Sequence, residues 1–115
     1  MSRSRILKVN QLIKKEFSRI LFEKGNIPSE SLATVIRVET LPNLSEAKVF
    51  ISVIPDKNAP EVIAKLNKKI YYLQQALNKK LKMRPVPKIV LKEEKGIRKA
   101  ARIEELFEEL KKEKK

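Results

Sequence analysis

A chain of 115 residues supports one modest hydrophobic core, and an apolar fraction of 42% is too high for a disordered polymer. It carries 27 Lys and Arg against 14 Asp and Glu, for a net charge of +13, and has neither Cys nor His. That inventory excludes disulfides, thiolate chemistry, the usual zinc ligands, and the Ser-His-Asp and Cys-His arrangements of nucleophilic catalysis.

The amino terminus has no apolar signal core, and no stretch approaches the roughly 18 apolar residues of a membrane span, so a cytoplasmic protein is expected. From about Ser4 to Lys24, the residues Ile6, Val9, Ile13, Phe17, Ile20 and Leu21 fall on one stripe. They predict a helix stopped by Gly25, with Pro28 just beyond. Ala33 to Leu41 is β-branched and partly alternating, which predicts a strand. Pro42-Asn43-Leu44-Ser45 supplies a turn. From Glu46 to Ile54, Ala47, Val49, Ile51 and Val53 alternate with Lys48, Phe50 and Ser52, predicting a second strand and an antiparallel hairpin.

Pro55 ends that strand, and Pro60 suits the first turn of a following helix. The apolar stripe then runs from Val62 to Leu81, and periodicity alone predicts one unbroken helix from about Pro60 to Lys82. Pro85 and Pro87 stop it. Val86 to Glu93 reads as a third strand, with Ile89 and Leu91 toward the core and Lys88 and Lys92 outward. A last helix from about Arg98 to Lys112 carries Ile103, Leu106, Phe107 and Leu110. The economical packing is α+β, a three-stranded sheet with helices on one face. Residues 1–112 are expected to form a single domain, with 113–115 a frayed basic tail.

The charge is unevenly spread. Between Val62 and Lys92 lie Lys65, Lys68, Lys69, Lys79, Lys80, Lys82, Arg84, Lys88 and Lys92, with no acid among them. Because the same stretch holds a buried stripe, it is folded with its cations outside, the footprint of a protein that meets a polyanion such as nucleic acid. The plainer reading, a Lys-rich surface of heat-adapted type, requires paired Glu that this stretch lacks. Arg3, Arg5, Lys8, Lys14, Lys15 and Arg19 form a second set on the first helix, partly offset by Glu16 and Glu23; an RNA contact and an ordinary solvated face both fit. Arg98, Lys99 and Arg102 could reach RNA from the last helix. Tyr71 and Tyr72 suit base stacking, but their place beside Leu73 predicts that they pack in the core. The pairs Glu93/Glu94, Glu104/Glu105 and Glu108/Glu109 sit within helical reach of Lys and Arg and read as ion-pair faces, not acid/base sites. No enzyme, cofactor, metal or small-molecule substrate is expected.

The hairpin Val35-Ile36-Arg37-Val38-Glu39 with Leu44-Ser45-Glu46-Ala47-Lys48-Val49-Phe50-Ile51 resembles that of the ribosome-binding factor A family, whose Ala-x-Val-Tyr/Phe core is present as Ala47-Lys48-Val49-Phe50. Lys8-Val9, Lys15-Glu16-Phe17 and Arg84-Pro85-Val86-Pro87-Lys88-Ile89 extend the likeness over about Arg5 to Leu110. The resemblance implies a type-II K-homology-like fold, helix-strand-strand-helix-helix-strand plus a carboxy-terminal helix. It also implies a monomeric factor that binds 16S ribosomal RNA in the free or immature 30S subunit. Such a factor assists late maturation and 5′-end processing, is linked to growth in the cold, and leaves before translation.

Two departures stand out. K-homology domains clamp RNA with a Gly-x-x-Gly loop, absent here because Gly25 and Gly96 are the only glycines. The family's Ala-x-Gly kink falls on Lys69-Ile70-Tyr71, so the resemblance implies a bend near Ile70–Tyr72 with no glycine to make it. The second departure is mild: Asn43 replaces a common Asp in the hairpin turn and serves the same turn chemistry. Rival readings are a permanent ribosomal protein, or a general nucleic-acid or membrane-surface module. A helix-turn-helix is disfavoured because Pro85-Val86-Pro87 leads into a strand.

Overall fold

A computed structural model describes residues 3–95 of the chain. Helix α1 spans Arg3–Lys24, strand β1 Leu32–Thr40, β2 Glu46–Ile54, α2 Ala59–Lys68, α3 Ile70–Lys80 and β3 Lys88–Glu93; a 3-10 turn, Asp56–Asn58, precedes α2. The sheet order is β1-β2-β3, with β1 antiparallel to β2 and β3 parallel to β2. A parallel partner requires a crossover, and α2 and α3 provide it. The expected helix-strand-strand-helix-helix-strand order is what the chain forms. The helix anticipated over Arg98–Lys112 and the tail at 113–115 lie outside the described residues.

The core follows the periodicities. β2 buries Ala47, Val49, Ile51 and Val53, β3 buries Ile89 and Leu91, and α1 lays Val9, Ile13, Phe17, Ile20 and Leu21 over them. The crossover adds Val62 and Leu66 from α2, and Leu73 and Leu77 from α3. In β1 the alternation changes phase: Val35 pairs with Ile51 and Arg37 with Phe50, so Ile36 is an inserted residue. This bulge lets Val35 and Val38, three positions apart, both face the core.

The unbroken helix predicted from Pro60 to Lys82 is corrected: the helix breaks at Lys69. That residue has φ −111° and ψ 20°, its N–H donates to Leu66 O at 3.1 Å, and its carbonyl accepts from Leu73 N–H at 3.0 Å. Its φ is negative, so the bend needs no glycine. The bend sits one residue before the region the family resemblance indicated. β3 begins at Lys88 and not Val86, because Pro87 brings no N–H and holds Val86 extended.

At the end of α1 the left-handed residue is Asn26, with φ 52°. Gly25 answers to space instead: a Cβ there would stand 2.5 Å from Leu21 O. In the hairpin turn Leu44 takes φ 61°, a strained conformation for a leucine, while its side chain is buried. Asn43 Oδ1 accepts from Ser45 N–H at 3.0 Å and from the Ser45 hydroxyl at 2.7 Å, fixing that turn.

Candidate nucleic-acid interface

Three contacts bring the scattered cations of the sequence to one end of the molecule. Thr40 N–H donates to Asn10 Oδ1 at 2.9 Å, which sets the first half of α1 beside the hairpin turn. Lys88 N–H donates to Ser45 O at 3.1 Å, which starts β3 at the same turn. Finally, α3 begins beside the end of α1 and packs along it, so it runs back toward that turn. Lys79 and Lys80 in the last turn of α3, Lys82 and Arg84 in the following link, and Lys88 on β3 therefore gather there, with Arg3, Arg5 and Lys8 toward the same end on α1. All of these are exposed. Among the described residues, Lys79, Lys80, Lys82 and Lys88 join no ion pair. Arg84 is turned inward at one nitrogen, donating to Leu81 O at 3.0 Å and Met83 O at 2.7 Å.

A groove of about 420 Å³ adjoins this end. Asn67, Ile70 and Tyr71 form one wall at the α2–α3 break, Gln74 stands on α3, and Lys88, Ile89, Val90 and Leu91 of β3 form the other wall. β3 is an outer strand, so half its backbone groups point away from the sheet. Lys88 and Glu94 direct their N–H groups to β2, hence Ile89 and Leu91 direct theirs to the free edge. Gln74 covers the first of these, accepting from Ile89 N–H at 2.8 Å and donating to Pro87 O at 3.1 Å. The Leu91 N–H and C=O are met by no group among the described residues. The groove thus offers an apolar floor, an aromatic ring and a backbone donor and acceptor side by side.

Lys65 and Lys68 are exposed on α2 beside the groove; Lys65 pairs with Glu61 at 3.4 Å across one helical turn, a contact of little energy between two solvated groups. Lys69 stands apart from them. Its ammonium lies on the end of α1, 3.3 Å from Lys24 O and 3.5 Å from Gly25 O. Lys92 is exposed further along β3, on the sheet face away from the helices, one strand-length from the basic end. Arg98, Lys99 and Arg102 lie outside the described residues.

The expectation that Tyr71 and Tyr72 pack in the core is corrected: they are 75% and 53% exposed. On a helix whose buried face carries Ile70, Leu73 and Leu77, positions 71 and 72 point elsewhere. Tyr71 enters the groove, whereas Tyr72 receives a hydrogen bond from Lys24 Nζ at 3.3 Å. Sequence reasoning misses Asn67 and Gln74, whose polar groups on an amphipathic helix carry no signal of a groove. The described residues hold no cluster of His, Cys, Asp or Glu able to ligate a metal, and no helix long and apolar enough to cross a membrane.

Comparison with known proteins agrees with this architecture. The family described as Ribosome-binding factor A matches residues 5–107. A ribosome-binding factor A of Halothermothrix orenii is 32% identical over 98% of this chain and 93% of its own length. One of Brevibacillus brevis is 32% identical over 96% of this chain and 92% of its own length. The crystal structure of ribosome-binding factor A from Thermus thermophilus superposes with a TM-score of 0.66 at 15% identity, covering 79% of this chain and 97% of that one. It shares the K-homology-like fold, an α+β arrangement with a three-stranded mixed sheet. The chain belongs to the ribosome-binding factor A family.

Proposed function

We propose that this protein is a ribosome assembly factor that binds 16S ribosomal RNA in the immature 30S subunit and assists its late maturation, including that of the 5′ end, by positioning and without chemistry. The observation that carries the reading is the set of exposed cations Lys79, Lys80, Lys82 and Lys88, joined in no ion pair among the described residues, beside a groove on the free edge of β3. Lysines in that setting neutralise phosphates and release counterions, so affinity falls as salt rises, by roughly 0.7–0.9 in log K per log salt for each phosphate contacted.

A single-stranded segment suits the site better than a duplex. The groove is too small for a helix but admits a base, which would stack on Tyr71 and meet the Leu91 N–H and C=O with its edge. Phosphates on either side would lie toward Lys65 and Lys68 at one end and Lys88 with its neighbours at the other. Occupancy would hold a maturing RNA element in one arrangement until the particle no longer favours the factor.

The test is where the protein travels when a cell lysate is sedimented on a sucrose gradient. Co-migration with precursor 30S particles, and absence from mature 30S and 70S fractions, is the expected result. Equal presence in mature subunits would identify a permanent ribosomal protein. Migration only with free protein would overturn ribosome binding.

A further inference from the structure

We infer that Lys69 is a positioning residue: its ammonium, lodged on the carbonyl oxygens at the end of α1, sets the angle between α2 and α3 and thereby places the wall of the groove. The inference rests on the groove being the RNA interface. Lys69 is at once the C-cap of α2, through its backbone N–H, and the N-cap of α3, where its side chain makes no capping hydrogen bond. Locally the bend is held only by backbone bonds, from Lys69 N–H to Leu66 O and from Leu73 N–H to Lys69 O. The side-chain hold comes from 44 and 45 residues away, through Lys69 Nζ on Gly25 O and Lys24 O. Those carbonyls end a 22-residue helix and carry its partial negative charge, a favourable seat for a cation.

The contact is reciprocated. Lys24, the last residue of α1, donates from Nζ to the Tyr72 hydroxyl at 3.3 Å and lies 5.5 Å from the centre of that ring. Two lysines thus cross between the same two segments, one from each side. Gly25, whose carbonyl forms part of the seat, has no room for a side chain, since a Cβ there would strike Leu21 O. Asn67, Ile70 and Tyr71 lie within two residues of Lys69, so any change in the bend moves all three relative to β3. Lys69 is also half-buried where Lys65 and Lys68 are exposed, and its charge is spent on protein carbonyls instead of solvent.

The experiment compares the whole protein with Lys69→Met and Lys69→Arg, measuring affinity for a 16S ribosomal RNA transcript across a salt series and backbone amide spectra of the free proteins. Lys69→Met is expected to weaken binding by about 3- to 10-fold, the scale of one or two lost hydrogen bonds. The slope of log K against log salt should stay unchanged, while the amides of Ile70, Tyr71 and Gln74 shift. Lys69→Arg should restore most of the affinity, and Tyr72→Phe should reproduce a weaker version of the loss. A slope shallower by about 0.7–0.9 would make Lys69 a phosphate contact and overturn the inference. Unmoved groove amides in Lys69→Met would overturn it as well. If the unsubstituted protein fails to bind the transcript, the functional reading falls, and the amide spectra still decide whether Lys69 holds the bend.

Discussion

Arg37 on β1 and Lys88 on β3 belong to one sheet, yet their surroundings differ in kind. The Arg37 guanidinium lies 3.7 Å from the centre of the Phe50 ring, donates to Glu94 Oε2 at 2.8 Å and meets Glu39 as well. Two of its nitrogens and one face of its plane are answered within the fold, and its partner Glu94 is buried. Lys88, although Glu46 stands opposite it in the β2–β3 register, and Lys79, Lys80 and Lys82 are exposed and join no ion pair among the described residues. A charge already satisfied holds structure together; a charge left open to solvent in company with others of its sign is available to a partner. Total charge cannot separate the two, and placement does.

That contrast can be broken experimentally. The largest effect is expected when Lys79, Lys80, Lys82 and Lys88 are all changed to Glu: affinity for the RNA transcript should fall at least 100-fold, with the thermal midpoint little altered because the four are exposed. Tyr71→Ala comes next, with affinity down by about 1–3 kcal/mol if a base stacks there and stability within about 0.5 kcal/mol, as befits an exposed ring. Arg37→Met should do the reverse. It leaves the Glu94 carboxylate buried without this partner, so chemical denaturation should show a loss of about 1–3 kcal/mol while RNA affinity stays within twofold. The smallest change is Thr40→Val. Among the described residues no group hydrogen-bonds the buried Thr40 Oγ1, so stability should hold or rise by up to about 1 kcal/mol, and binding should not change.

Much of this architecture is legible in the residues. The hairpin is plain because β2 alternates with period two over its whole length, and the bulge at Ile36 accounts for why β1 alternates only in part. The break at Lys69 is not legible. Leu66 and Leu73 are seven residues apart, nearly two helical turns, so the apolar stripe runs through the bend without a mark. Adjacency to Leu73 suggests a core position for the two tyrosines, although each step along a helix rotates the side chain by about 100°. The nine cations of the acid-free stretch are visible as a count, but their grouping is not. Five of them meet at one end because β3 starts against the hairpin turn and α3 runs back along α1, both consequences of the crossover. Lys69 illustrates the same limit at one residue: by composition it is another basic side chain, and by geometry it reaches the end of a helix 44 residues earlier.

Function, on this reading, depends on the open cations at the turn end of the sheet meeting phosphate. The direct measurement is the salt dependence of binding to a 16S ribosomal RNA transcript, for the unsubstituted protein and for the variant with Lys79, Lys80, Lys82 and Lys88 changed to Glu. A steep slope is predicted for the former and one shallower by about 3 for the latter, if each of the four meets one phosphate. Equal slopes for the two proteins would contradict it.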